Sequence, residues 1–459
     1  MSGTTLVWLR DDLRIADNPA LHAAVEKGDP VVVLYLHDDA SPGLRPIGAA
    51  ARWWLHHSLV ALDASLRDVG ARLTLRRGAA ADVVPALVRE VGAYAVHWTR
   101  RYAKGPREVD AALKQALRDD GVDAHSHQGS LLFEPWTVRT GSGGPYRVFT
   151  PFWRACLDQP EPRAPLPAPD HLDEPDGDWA SDDLDDWALL PTAPDWAGGL
   201  RDAWTPGEAA ALDRLEHFAT EVLADYGDRD HPAQEATSHL SPRLRWGEVS
   251  PFQVWHRLRG DLPPAAREQA QPFLREVVWR EFNHSVLFES DDLASTNHRP
   301  EFDAFPWREP DPDELRAWQQ GRTGVPLVDA GMRELWVSGA MHNRVRLVTA
   351  SFLVKNLLVD WRVGERWFWD CLVDADEANN PANWQWVAGS GADAAPYFRV
   401  FNPVLQQQKF DAHRDYVRHW VPEVDDEDYP EPIVDLKESR RRALDAYESM
   451  RRTPAAARD

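Results

Sequence analysis

The sequence predicts an N-terminal parallel α/β domain joined by a long connector to an all-α domain. Three observations carry that prediction. Residues 4–128 alternate short β-rich runs with amphipathic helical runs. Residues 135–205 are rich in Pro and Asp and show little periodicity. From Pro206 onward β-branched runs are few and the pattern is helical. Apolar strands alternating with helices imply a parallel sheet covered on both faces. A stretch as long as the connector is normally a linker or functional, and 459 residues leave room for two or three domains.

Taken in order, the expected strands are TLVWL (5–9), VVVLYL (31–36), RLTLR (72–76), YAVHW (94–98) and VDAHS (122–126). Helical stretches between them include residues 49–69, 80–91 and 106–118. The expected organisation is a Rossmann-like domain over 1–130, a connector over 131–205 and a helical domain over 206–459. No G-x-G-x-x-G follows the first strand and no P-loop is present, so the dinucleotide and NTP fingerprints are both missing. A ligand can still sit at the carboxyl edge of such a sheet. No internal repeat of fixed period is seen.

A chain 43% hydrophobic and 27% charged is ordinary for a globular protein, but 22 Trp is unusual. Cys156 and Cys371 cannot build a disulfide framework and fit a reducing cytosol. The start, MSGTTLVWLRDDLR, lacks a basic run followed by an apolar one, and no stretch is long enough to span a membrane. A cytoplasmic location is therefore expected. The net charge of −23 counts against nucleic acid, because phosphate binding needs cations. The acidic load is concentrated, however, in residues 158–195 and in EVDDED (423–428). Arg243, Arg245, Arg257, Arg259, Arg344, Arg346 and Arg399 cluster in the helical half, which leaves room for a local basic face.

Residues 338–403 are the most informative. They set Asn343, Arg344, Arg346, Asp374, Asp376, Asn380 and Asn383 among Trp, Phe, Leu and Val. Polar groups in an apolar helical body cost free energy unless each finds a partner, so a large polar ligand inside the helices is expected. Upstream, Ser241-Pro242 and Ser250-Pro251 each read as a helix N-cap followed by a favourable first residue. With Thr237 and Ser238 beside it, the first suits a pyrophosphate, though ordinary capping explains both. On a helix, Glu276 and Trp279 share a face, Glu276 and Arg280 have ion-pair spacing, and Asn343 and Leu347 share a face. Asp374-x-Asp376 could hold Mg²⁺, but its neighbours supply no further ligand, and no metal is expected. Indole is easily oxidised, so a spaced row of Trp could carry an electron, although core packing explains most Trp.

The order Tyr226…Thr237-Ser-x-Leu-Ser-Pro, the run Phe273-Leu-Arg-Glu-Val-Val-Trp-Arg and the 338–403 segment resemble the DNA photolyase and cryptochrome family. Bacterial cyclobutane pyrimidine dimer photolyases of class I/III are the most similar, and matches run through most of the chain. The resemblance implies a light-driven DNA repair lyase. Photoexcited, fully reduced anionic FAD would pass an electron to a flipped-out dimer, the ring would split, and the electron would return. Tyr226, Thr237, Ser238, His239, Leu240, Ser241, Phe273, Arg280, Asn343, Arg346, Asp374, Ala375, Asp376 and Asn380 would hold FAD. Arg346 would pair with Asp374 beside the ring, and Asn380 would face flavin N5, where plant cryptochromes typically carry Asp. Glu276, Trp279, Asn343, Leu347 and Trp386 would meet the lesion, with Glu276 hydrogen-bonding the dimer. Arg280, Arg344, Arg399 and Gln406 would join Glu276, Trp279 and Asn343 on the DNA face.

The family match also singles out Trp384, Trp361 and Trp307 as an electron row from flavin to solvent, with Trp318 and Trp369 as substitutes for the last. RWWLHHSL (52–59) looks like class III photolyases and favours methenyltetrahydrofolate over deazaflavin as an antenna chromophore. Damaged DNA is the expected partner and a monomer the expected state. Leu347 departs from the Met common in relatives, a swap of similar volume that usually costs little. The rival reading is a cryptochrome-like photoreceptor signalling through protein partners.

Overall fold

The computed structural model describes residues 3–260, 262–394 and 398–452. Five strands, β1 (Thr4–Leu9), β2 (Val31–His37), β3 (Leu73–Arg77), β4 (Ala93–Thr99) and β5 (Asp123–His127), form one parallel sheet in the order β3-β2-β1-β4-β5. Each lies within a residue of its expected position. The period-two alternation of a strand sorts its side chains. On β1, Val7 and Leu9 face α1 (Pro19–Val25) and α2 (Ala49–Asp68), while Leu6 and Trp8 face α3 (Ala80–Val91) and α4 (Lys104–Asp119). Helix α1 is not among the stretches read from the sequence. Its start is set by Asn18, whose side chain accepts from the N–H groups of Ala20 and Leu21 at 3.1 Å.

Strand order reverses between β1 and β4, where open α/β sheets hold ligands. Here that point carries a buried ion network. Arg10 donates to Asp110 on α4 at 2.7 and 2.9 Å and to the Thr99 carbonyl, and Arg101 reaches Asp110 at 2.5 Å.

The connector packs closely on the sheet domain. Trp179 is buried and donates to Thr74 at 2.8 Å, Asp182 N–H donates to the Leu75 carbonyl, and Trp187 stacks on His37 at 5.3 Å. Isolated aromatic anchors among Pro and Asp bury apolar area without any helical or strand period. Within the same stretch, helix Phe149–Leu157 joins the helical core.

Buried carboxylates stitch the sheet domain to the helices. Glu248 accepts from Trp54 Nε1 (3.0 Å), Ser58 Oγ (2.8 Å), the Gly207 N–H (2.6 Å) and Arg243 (2.8 Å). Asp17 accepts from Ser250, Arg163 and the Leu166 N–H. Trp54 and Ser58 of the RWWLHHSL run are therefore seam residues. A second seam brings Gly48 against helix Trp361–Cys371, so closely that a Cβ on Gly48 would meet the Trp369 carbonyl and lie 2.6 Å from Asp370 Cα. Overpacking of this kind costs roughly 1–3 kcal/mol. Gly48→Ala is expected to lower the unfolding free energy by that amount in urea titrations. An unchanged midpoint would contradict the close docking.

Candidate active site

A cavity of about 1210 Å³ lies within the helical domain. Ordinary small-molecule sites occupy roughly 300–1000 Å³, so the cavity has room for a ligand larger than most. The predicted cofactor residues Tyr226, Thr237, Ser238, His239, Leu240, Ser241, Phe273, Arg280, Asn343, Arg346, Asp374, Ala375, Asp376 and Asn380 all line it. So do Glu276, Trp279, Arg344, Leu347, Trp384, Trp386 and Arg399. Trp361 and Trp307 lie behind the wall, in and against the core. Gln406 lines an adjoining groove of about 640 Å³ with Lys409 and Arg440, which shares Asp230, Arg344 and Arg399 with the main cavity.

At one end, Tyr226 is buried edge-on against Phe218 (5.7 Å) and Phe273 (5.4 Å). Arg214 donates to the carbonyls of Thr237 and Ser238 at 2.8 Å and pins the loop. His239 adopts a left-handed backbone (φ 52°) and meets Thr237 Oγ1 at 3.1 Å and Glu235 at 3.3 Å. Hydrogen bonds from His239 and Arg214 hold the Glu235 carboxyl down to about 2.

Only one of the two Ser-Pro pairs caps as expected. Ser250 forms a full capping box with Gln253. Ser241 instead lies inside the five-residue helix Ser241–Arg245, and its hydroxyl donates to Asp374 at 2.6 Å. A buried carboxylate is a stronger acceptor than water, and it claims the hydroxyl that would otherwise turn back to the helix.

Arg346, on helix Asn343–Ser351, donates to both oxygens of Asp374 at 3.2 and 2.9 Å and to the Met341 carbonyl at 2.7 Å. The expected Arg346–Asp374 pair is thus formed. Asp376 accepts from the N–H groups of Ala378 (2.8 Å) and Asn379 (2.5 Å) and from the Asn379 side chain (2.6 Å), which starts helix Asn379–Ala388. Burial alone would raise its pKa, but His284, Asn379 and Arg280 bring it below the usual carboxylate range. Neither Asp is arranged for a metal, and among the described residues no cluster of three acidic, His or Cys groups could hold one. Asn380 donates to Glu365 at its carbonyl (3.1 Å) and at Oε1 (2.8 Å).

At the other end, Glu276 reaches into the cavity from helix Pro264–Glu289. The surrounding protein desolvates its carboxyl and raises its pKa, against the opposing pull of Arg229 and Arg275. The Glu276–Arg280 spacing does not produce an ion pair. Arg280 donates to the Ser130 carbonyl at 2.7 Å and to Glu281 at 3.4 Å, because the fully buried Glu281 is the costlier acid to leave unpartnered. Trp279 lies face to face on Phe149 (3.7 Å, 7°) and so presents a rigid apolar wall. Arg399 sits 5.6 Å over the Trp386 ring. Arg344 pairs with Asp230 at 2.6 Å.

Several cavity residues escape sequence pattern. His342 caps its helix by accepting from the Arg344 N–H at 3.3 Å, and burial lowers its pKa to about 4, so it is a neutral imidazole. Asn283 and Asn379 bond across helices at 2.8 Å. Asp230, and Glu365 behind the wall, act through partners more than a hundred residues away, which no local spacing reveals.

Trp384 is buried, edge-on to Phe368 (4.9 Å) and to Trp318 (6.3 Å). Trp361 is buried and donates to Asn297 at 3.0 Å. One turn further on, a Cβ on Gly364 would strike the Trp384 ring, so these two helices meet there with no room to spare. Trp307 is half-buried against Phe305 at 4.3 Å.

Residues 5–170 match the family model described as DNA photolyase, and residues 273–427 match that described as FAD binding domain of DNA photolyase. The chain is 49% identical to a deoxyribodipyrimidine photo-lyase of Agrobacterium fabrum over 98% of each. The crystal structure of a class III photolyase from Agrobacterium tumefaciens superposes with a TM-score of 0.94 at 48% identity, covering 99% of this chain and 98% of that one. Cryptochrome-1 of Arabidopsis thaliana is more distant, 35% identical over 99% of this chain and 72% of its own length. The chain belongs to the DNA photolyase family.

Proposed function

We propose that this protein is a light-dependent DNA lyase that splits cyclobutane pyrimidine dimers, with FAD and the flipped-out lesion sharing the 1210 Å³ cavity. The observation that carries this reading is the juxtaposition inside one cavity. A polar set (Arg346, Asp374, Asp376, Asn380) lies beside an acid (Glu276) and two indoles (Trp279, Trp386). The donor set fits the cofactor: hydroxyls and a pinned loop at one end, and a fixed cation bonded to a carboxylate at the other. With a helix of only five residues behind Ser241, and with its hydroxyl given to Asp374, the hydroxyls of Thr237 and Ser238, more than a helix dipole, would hold the pyrophosphate.

Bound FAD supplies a photoexcitable one-electron donor. The remaining work falls to the chain. Arg346, braced by Asp374, would place positive charge by the isoalloxazine and favour its anionic reduced form. Enzymes that act on bases extrude them from the duplex, at least cost for a damaged step. Trp279, backed by Phe149, and Trp386 would receive the extruded pair, worth roughly 1–3 kcal/mol per stacked base. Arg344, Arg399, Gln406 and the adjoining groove would hold phosphates without reading sequence. Leu347 completes the apolar contact. Trp384, Trp361 and Trp307 would refill the flavin with electrons. An antenna in the sheet domain, methenyltetrahydrofolate before deazaflavin, would feed it light. We take residues 1–130, 131–205 and 206–459 as the antenna domain, connector and catalytic domain of a cytoplasmic monomer. Among the described residues no helix is long and apolar enough to cross a membrane.

Glu276 would act as the protonated acid, donating to the dimer as negative charge develops on it. Its folded pKa is raised by burial. The donor is therefore present below that pKa and is lost as pH rises through it, above the ordinary Glu value of about 4.3. Repair is expected to fall on the alkaline side in the native protein. Glu276→Gln, which keeps a donor, should flatten that profile, and Glu276→Ala should repair roughly tenfold more slowly with FAD still bound. Loss of FAD from Glu276→Ala, or an unchanged profile in Glu276→Gln, would remove Glu276 from this role. For the relay, Trp384→Phe should block photoreduction of oxidised flavin and spare repair by chemically reduced protein. Normal photoreduction in that variant would rule Trp384 out.

A further inference from the structure

Asn380 is bound to the sheet domain through a two-step link. Its side-chain nitrogen donates to the carbonyl and to Oε1 of Glu365. Glu365 is almost fully buried and forms a two-pronged ion pair with Arg45, at 2.7 and 2.8 Å. Arg45 precedes α2 in the sheet domain. Its guanidinium lies 3.8 Å over the Trp369 ring, and Trp369 Nε1 donates back to the Pro46 carbonyl at 2.8 Å. A planar guanidinium stacked on one side and forked onto a carboxylate has almost no freedom left.

The chemistry of this link decides which end of the Asn380 amide meets the cavity. A carboxylate and a carbonyl are both pure acceptors. Facing two of them, the amide can present only its NH₂, so Oδ1 is turned towards the cavity that Asn380 lines. A neutral carboxylic acid at position 365 could donate instead and would let the amide turn over.

We infer that Arg45 is a positioning residue for the cofactor: by gripping both oxygens of Glu365 it holds that side chain against the Asn380 NH₂ and fixes the Asn380 amide oxygen towards the flavin. An acceptor there favours a flavin that carries a proton on N5, the reduced form, over the oxidised form, which has none. The α/β domain thereby biases the redox state of a cofactor bound in the other domain. This rests on Asn380 facing the flavin N5, and the test separates the two claims.

The measurement is the midpoint potential of bound FAD, read with the ratio of its affinities in oxidised and reduced form. Arg45→Met and Glu365→Gln should each lower the preference for reduced flavin by roughly three- to tenfold, the size of one net hydrogen bond. The double variant should go no further, and Arg45→Lys should restore part of the loss. Asp370→Ala serves as a control for loosening of the seam. It breaks the neighbouring contact to the Ala49 N–H (2.9 Å) without touching Glu365, and it should leave the potential unchanged. Asn380→Ala should shift the potential at least as far as Arg45→Met. If Asn380→Ala shifts it and Arg45→Met does not, or if Asp370→Ala shifts it equally, the role of Arg45 is refuted while the flavin site stands. If Asn380→Ala leaves the flavin unaffected, the placement of Asn380 at N5 fails, and this inference with it.

Discussion

A carboxylate taken out of water must be given donors, and Asp374 draws them from two segments a hundred residues apart. Arg346 supplies a guanidinium and Ser241 a hydroxyl. The cavity's shape depends on this tie, because it fixes the loop after helix Trp361–Cys371 to the start of the 241 helix and to the 343 helix at once. Asp374 is the buried partner and Arg346 is partly exposed, so removing Arg346 costs less than the roughly 3–5 kcal/mol typical of a fully buried pair. On the proposed reading, the same group that stabilises the fold would also set the charge at the ring of the bound cofactor. Stability and electrostatics are not separable here.

The seam between the domains follows the same rule. Glu248 and Glu365 are buried acids whose donors come from both sides, and Asp17 of the sheet domain takes its donors from the connector and from Ser250. Each makes the position of a helix in one half conditional on a residue in the other. The sheet's own switch point is used for this internal wiring, by Arg10, Asp110 and Arg101. The overall charge of −23 is compatible with the proposed DNA partner through its distribution. Acidic side chains crowd the connector and the EVDDED turn, while Arg344, Arg399, Lys409 and Arg440 gather at the groove beside the cavity. Charge of this kind gives salt-dependent, sequence-tolerant binding.

Much of the fold was legible, because buried parallel strands write themselves as unbroken apolar runs such as VVVLYL. The short helix at Pro19 was not, since its seven residues are too few for a helical period and only the Asn18 cap marks it. In the candidate site, the positions of the cavity residues were legible through motif wording. Local spacing misled at Arg280, where a four-residue offset from Glu276 resembles an ion pair but the buried Glu281 and the Ser130 carbonyl win. It misled again at Ser241, whose cap geometry yields to Asp374. Partners such as Asp230 for Arg344 and Arg45 for Glu365 are long-range, and nothing in the nearby sequence encodes them.

Light absorbed by flavin in this cavity is expected to break a pyrimidine dimer. The most direct measurement is repair of an oligonucleotide carrying one defined thymine dimer by purified, reduced protein under blue light, against a dark control. The account predicts light-dependent loss of the dimer, with Leu347 tolerated in the lesion wall. An intact dimer, with FAD bound and photoreducible, would contradict it and leave a flavin photoreceptor in its place.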